Sequence, residues 1–294
     1  MKRKNHPRVN GTPFKWTPYL MLAPCMLVFG IFVFFPFAKT IYLSLFLTNA
    51  TGVATRFVGL SNYTWLFNNK YFWNSVAVSF QFAGIISIST LVLGFALALM
   101  ANQRMRGSRI YETLYAVPMA VASAPAAAIW FLIFSSGSGI LNYLLQTNTR
   151  WLLDKNMALY SVAIVTVWMN VGMNFIFILT GLRNVPDDLI ESATLDGAGY
   201  FRRLYNIIIP VASPQIFFVV FLNIVTSFQS FAQIKLLTRG GPTYSTEILI
   251  YNIYRTAFID NRFERSCAMS LILFVIIFII TRIQFAVEKK GVHY

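Results

Sequence analysis

Charge is what this sequence has least of. Of its 294 residues only 12% are Asp, Glu, Lys or Arg, about half the roughly 25% of an average soluble domain. Cysteine is almost absent. Cys25 and Cys267 both lie in apolar runs, form neither a disulfide framework nor a zinc spacing, and read as small buried apolar residues. The two histidines, His6 and His293, lie in the tails, so the body of the chain has no imidazole for acid–base or metal chemistry. No G-x-x-x-x-G-K-[ST] phosphate loop occurs, and the chain cannot hold ATP in that manner. Paired acids are missing from its apolar runs as well, which disfavours a membrane enzyme.

What is abundant is apolar: 57% of the residues. The uncharged runs are Trp16 to Ala38, Tyr71 to Gln103, Thr113 to Thr149, Asn156 to Leu182, Asn206 to Ile234 and Ser266 to Thr281. A spanning helix needs about 20 apolar residues to cross about 30 Å of hydrocarbon. The turn-rich "SSGSG" at 135–139 ends the third span near Phe134. The expectation is an all-α membrane protein with six transmembrane helices, at about 16–38, 72–102, 113–134, 157–182, 210–234 and 266–286. Tails at 1–15 and 289–294, a charged loop at 183–209 and a second loop at 235–265 complete the division around a transmembrane domain, 16–288. The start "MKRKNHPR" has the charge of a signal peptide, but its apolar run is too long and no small-residue cleavage site follows, so an uncleaved span is expected.

The formal charge is +14. Basic residues fall between apolar runs and form no stripe or base-stacking module, so anionic lipid is the expected partner and nucleic acid is not. Orientation follows from Lys and Arg. The first tail has Lys2, Arg3, Lys4, Arg8 and Lys15 with no acid. Placing it in the cytosol puts 14 cations inside and 10 outside, with both termini cytoplasmic. Pro118 and Pro125 interrupt the third span, as a packing kink or as a bend near a translocation path. No repeat relates the two halves, which removes support from inverted-repeat transporter folds.

The charged loop has a pattern of its own. Pro186 suits a first helical position, Asp187 and Asp188 the positive end of the helix dipole, and Gly197 and Gly199 a reversal at positive φ. A second short helix then carries Tyr200, Phe201, Leu204, Ile207 and Ile208 up to Pro210, where the fifth span is expected to begin. Physics alone allows an amphipathic surface loop. The residues Glu191, Ser192, Ala193, Asp196, Gly197 and Ala198, with Ile207 and Pro210 after them, resemble the "EAA" loop of membrane permease subunits of binding-protein-dependent ABC importers. Ser192 stands where that family usually has alanine. "LLTRGGPTYSTEILIYNIYRTAF", Leu236 to Phe258, is similar to the segment before the last span in the carbohydrate branch. "RGSRIYETL" and "FAVEKK" bring the resemblance nearest to the sn-glycerol-3-phosphate permeases and their oligosaccharide relatives, the maltose permeases among them.

That resemblance implies a type I importer permease fold in the cell membrane, and a non-catalytic chain forming half of a path. It implies as partners a second, unlike permease, a dimer of ATP-binding subunits that holds ATP and magnesium, and an extracytoplasmic solute-binding protein. The coupling residues would be Glu191, Ser192, Ala193, Asp196, Gly197 and Ala198. By the same likeness, the solute contacts fall on Asn170, Met173, Asn223, Thr226, Ser227 and Ser230. Hydrogen bonding between helices is the alternative role for such polar residues, and Asn223, Ser227 and Ser230 share one helical face by spacing. The loop at Gly240, Gly241 and Pro242 is the expected binding-protein contact. No Lys or Arg sits within the fourth or fifth span and Lys235 is at an edge, so the expected solute is a neutral sugar or oligosaccharide, with glycerol 3-phosphate as the alternative. An ion-coupled secondary transporter would need buried acids, and Glu112, one turn from Arg109, is the sole acid near a span start.

Overall fold

The computed structural model describes residues 16–102 and 108–291. The five cations of the first tail, together with His6, Arg104, Arg106 and His293, lie outside the described residues. Long uncharged runs become long helices, since a helix satisfies every backbone polar group within its own segment. Helix α1 is Pro18–Ser44, followed by α2, Ser61–Phe67, and α3, Lys70–Asn102. A bent pair comes next, α4 at Ser108–Ala116 and α5 at Ser123–Ile133, then α6, Ile140–Leu145, and α7, Ala158–Arg183. The charged loop forms α8, Asp187–Leu195, and α9, Tyr200–Val211. The chain ends with α10, Ser213–Phe228, α11, Phe231–Leu237, α12, Leu249–Phe258, and α13, Phe263–Gly291.

The bundle is organised on α3 and α7. They come close at Gly94, where an added Cβ would lie 2.7 Å from the Asn174 Cβ. Phe82, Ile86, Val162 and Val165 bury between them at one level, with Ile234 and Ile248 from α11 and the start of α12. At another level Ala98, Phe175, Ile178 and Val219 form a second apolar cluster. Large apolar side chains nevertheless cover the outside, including Phe32, Ile88, Leu132, Phe278 and Ile283. Such a surface has no stable place in water and suits lipid or a partner helix. Helix α1 is the extreme case: none of its most apolar window is buried, and it touches the bundle through its second half, where Phe37 lies 5.2 Å from Phe274.

Two expected spans are broken. Helices α4 and α5 meet at 99° through the extended residues Val121 and Ala122, bracketed by Pro118 and Pro125. Pro125 lies in the first turn of α5, where its missing N–H leaves no intrahelical bond unmade. Helices α9 and α10 meet at 70° after Ala212. Pro210, the expected start of the fifth span, is instead inside the last turn of α9. The wide π-turn Leu204–Ile208 precedes it, loosening the position where the proline ring would otherwise meet the carbonyl four residues back. A feature absent from the sequence reading is a hairpin of β1, Phe46–Thr48, and β2, Ala54–Phe57, paired antiparallel with Phe46 opposite Phe57. Asn49 closes its turn by accepting hydrogen bonds from the backbone N–H groups of Thr51 and Val53.

Candidate functional site

The first candidate region is α8 and the turn after it. Asp187 and Asp188 occupy the first turn, as the sequence suggests, while Pro186 is the cap rather than the first helical residue. The reversal is built by one glycine, not two. Gly197 has φ +75°, whereas Gly199 is extended and caps α9. Gly197 donates its N–H to the Thr194 carbonyl at 3.1 Å and Ala198 donates to Ala193 at 2.9 Å, the paired bonds of a Schellman turn. Arg203 of α9 reaches back and donates to the Thr194 hydroxyl at 2.6 Å. The hairpin of α8 and α9 is thus closed by its own bonds.

None of the α8 residues is buried. Glu191, Ser192, Asp196 and Gly197 are exposed, with Ala193 and Ala198 half-buried. Beside them Leu195 is 89% exposed and Phe201 is 70% exposed, next to Tyr200 and Tyr205. Carboxylates next to bare apolar side chains make a surface suited to a protein partner. At the root of this hairpin Arg183 pairs with Glu112 of α4 at 2.5 Å. Glu112 is not the sole acid near a span start, as the sequence suggested, because α13 begins early enough to hold buried Glu264 in its first turn.

The second region is the polar set of α7, α10 and α11. Asn174 and Asn223, 3% and 4% exposed, exchange two side-chain hydrogen bonds of 2.9 and 2.7 Å. Ser227 is also buried and donates to the Asn223 carbonyl. The side chains of Asn223 and Ser227 are thus bonded within the bundle, between helices for Asn223 and within α10 for Ser227. Thr226 and Met173 are exposed, and Asn170 and Ser230 are half-buried. Ser230 is not on the α10 face with Asn223 and Ser227, because α10 ends at Phe228 and Ser230 caps α11. A polar rim of Asn170, Thr226, Gln229 and Ser230 stays at least partly exposed on otherwise apolar helices.

The third region is the loop from Thr238 to Ile248, at the far end of the bundle. Arg239, Thr243 and Tyr244 have positive φ, as does Gly240. The loop is tied by the Thr246 hydroxyl donating to the Gly241 carbonyl at 2.8 Å and by Asn74 of α3 donating to the Tyr244 carbonyl at 3.0 Å. Under it, Glu247 is buried and accepts a 2.7 Å bond from Arg255. Burial raises the Glu247 carboxyl above its ordinary value, and Arg255 offsets this only in part. The sequence reading missed this pair, although the i, i+8 spacing of opposite charges in an apolar segment was a visible signal. Among the described residues no cluster of His, Cys, Asp and Glu could hold a metal ion.

Residues 90–291 match the family described as "Binding-protein-dependent transport system inner membrane component". The chain is 34% identical over 288 residues to the sn-glycerol-3-phosphate transport system permease protein UgpA of Yersinia enterocolitica, covering 97% of this chain and 98% of that protein. It is 35% identical over 286 residues to the UgpA of Agrobacterium fabrum, covering 96% and 98%. Among solved structures, a chain of a bacterial alginate ABC transporter in complex with an alginate pentasaccharide-bound periplasmic protein superposes with a TM-score of 0.82. That match has 19% identity and covers 94% of each chain. A chain of the inward-facing MetNI methionine ABC transporter gives 0.57 at 13% identity, covering 79% of this chain and 99% of that one.

Proposed function

Because the chain belongs to the binding-protein-dependent transport system inner membrane components, we propose that it carries half of a carbohydrate path and is driven through α8 by an ATPase dimer. Membership makes it a multi-pass permease subunit of an ABC importer, a transport subunit and not a catalytic one, working with a solute-binding protein and ATPase partners. It also removes the ion-coupled and enzymatic alternatives.

The observation that carries the proposal is the α8–α9 hairpin: self-closed, with no residue of α8 buried, and with Glu191 and Asp196 beside bare Leu195 and Phe201. Both termini and this hairpin lie in the cytosol, where the ATP-binding subunits hold ATP and magnesium. Glu191, Ser192, Ala193, Asp196, Gly197 and Ala198 form the seat. Closure of the ATPase dimer displaces α8, and α9 passes the displacement through the 70° bend to α10. The polar rim of Asn170, Thr226 and Ser230, with Met173, faces the central cavity shared with a second, unlike permease, since such groups are costly against lipid. The loop at Gly240, Gly241 and Pro242 meets the binding protein on the opposite side. Glu191→Lys tests the coupling. The expected result is loss of ATPase co-purification while the permease pair still assembles; retained ATPase together with retained uptake would sink it.

The solute is a carbohydrate or a polyol derivative. The sequence favoured a neutral sugar, but the glycerol-3-phosphate permeases at 34% and 35% identity bring a phosphorylated polyol forward as the second reading.

A further inference from the structure

A cavity of about 320 Å³ opens beside α11 and α12, lined by Lys235, Leu236, Arg239, Tyr251, Tyr254 and Ile259. That volume is within the range of small-ligand sites. Lys235 lies in the last turn of α11 and Arg239 just beyond its end, in left-handed backbone whose N–H is fixed on the Ile234 carbonyl at 2.8 Å. The Lys235 ammonium is held 4.5 Å from the Tyr254 ring centre and 5.4 Å from that of Phe231. Among the described residues, Arg183 pairs with Glu112, Arg255 with Glu247 and Arg262 with Glu264, and neither Lys235 nor Arg239 takes part in these pairs. The nearby Glu247 carboxylate is engaged by Arg255. Cations at a helix carboxyl end favour the dipole. That alone does not account for a cavity bounded by two tyrosine rings.

We propose that this cavity is a subsite for an anionic group, phosphate or carboxylate, on a sugar or polyol at the binding-protein end of the path. The proposal rests on the importer reading and deepens it. Two cations supply charge-assisted donors to the oxyanion, and the tyrosine faces take the apolar side of the sugar or polyol. The placement follows from continuity: Ser230, on the polar rim, caps the helix whose last turn carries Lys235. The structure thereby supplies the cations that the fourth and fifth spans lack.

The test uses the assembled importer, with its second permease, ATPase and binding protein, in nanodiscs of phosphatidylcholine alone. Acetylation of Lys235 by a water-soluble succinimidyl ester is followed by peptide mass spectrometry, with glucose 6-phosphate, glucuronate or glucose as probe. The expected result is that one or both anionic probes slow the reaction about tenfold, the scale of one charge-assisted contact, while glucose does not. Arg239→Gln should abolish the effect. Equal slowing by glucose, or none by either anion, overturns the subsite. Slowing that needs phosphatidylglycerol and no probe assigns the cavity to a lipid headgroup and also overturns it. Binding-protein-stimulated ATP hydrolysis is measured in the same discs. Its presence without protection overturns the subsite alone, and its absence in the unmodified complex overturns the importer reading.

Discussion

Asn174 on α7 and Asn223 on α10 face each other amide to amide, each side chain donating to the other's carbonyl oxygen at 2.9 and 2.7 Å. Both amide carbonyl oxygens keep these partners only while the two helices hold this register. Asn174→Ala orphans the Asn223 amide, and Asn223→Ala orphans the Asn174 carbonyl oxygen while its amide keeps the Asn170 carbonyl at 3.1 Å; each is expected to cost about 1–2 kcal/mol. The double variant should lose less than the sum, so a double-mutant cycle of unfolding in detergent checks the pair. Strictly additive losses would show that the two amides are not coupled.

Gly197 is expected to tolerate Asn but not Val. An added Cβ meets nothing within 4 Å, so the penalty comes from φ +75° alone. Left-handed backbone costs an ordinary L-residue about 1–2 kcal/mol, and Asn less. Co-purification of the ATPase should fall with Gly197→Val and persist with Gly197→Asn. Equal behaviour of the two variants would count against the turn as the determinant.

Thr194 receives Arg203 across the hairpin. Thr194→Val keeps the shape of the side chain and removes the acceptor. Under the coupling proposal the ATPase still binds, but hydrolysis and uptake come apart: ATP consumed per solute rises. Unchanged stoichiometry in proteoliposomes would refute a transmitting role for that bond.

Glu247 gives a pH-dependent outcome. Its carboxyl is already raised by burial, and Arg255→Met removes the cation that offsets this. A carboxyl raised in the folded state destabilises the fold above its folded value, and the penalty vanishes below the ordinary value of 4.5. The Arg255→Met loop should therefore be open to proteolysis at neutral pH and regain protection on acidification. The double variant Glu247→Gln with Arg255→Met should lose that pH dependence. Protection of Arg255→Met that is insensitive to pH would be inconsistent with a buried, ionising Glu247.

The helices were legible because hydrocarbon excludes charge, so runs such as Tyr71 to Gln103 and Asn156 to Leu182 mark them almost to the residue. The bends were less so. Pro118 and Pro125 marked the first, but Pro210 pointed two residues early, because a π-turn upstream let the helix continue past it. The short hairpin after α1 was invisible to a search for long apolar runs. In the candidate regions, spacing placed Asn223 and Ser227 on one face but could not say whether that face meets a cavity or Asn174. The Lys235–Arg239 cavity was hidden because its tyrosines come from α12, a contact of tertiary origin.

Helix α1 buries none of its most apolar window, yet its own backbone bonds and the surrounding lipid are enough to keep it intact. During biogenesis it can enter the bilayer with no help from the segments translated after it. The core helices then assemble beside a rod already in place. A chain lacking only the first half of α1, residues 18–34, would therefore fail by reaching the membrane inefficiently, whereas loss of Phe35–Ser44 would also strip Phe37 from Phe274 and leave Asn62 without the Ser44 carbonyl it donates to.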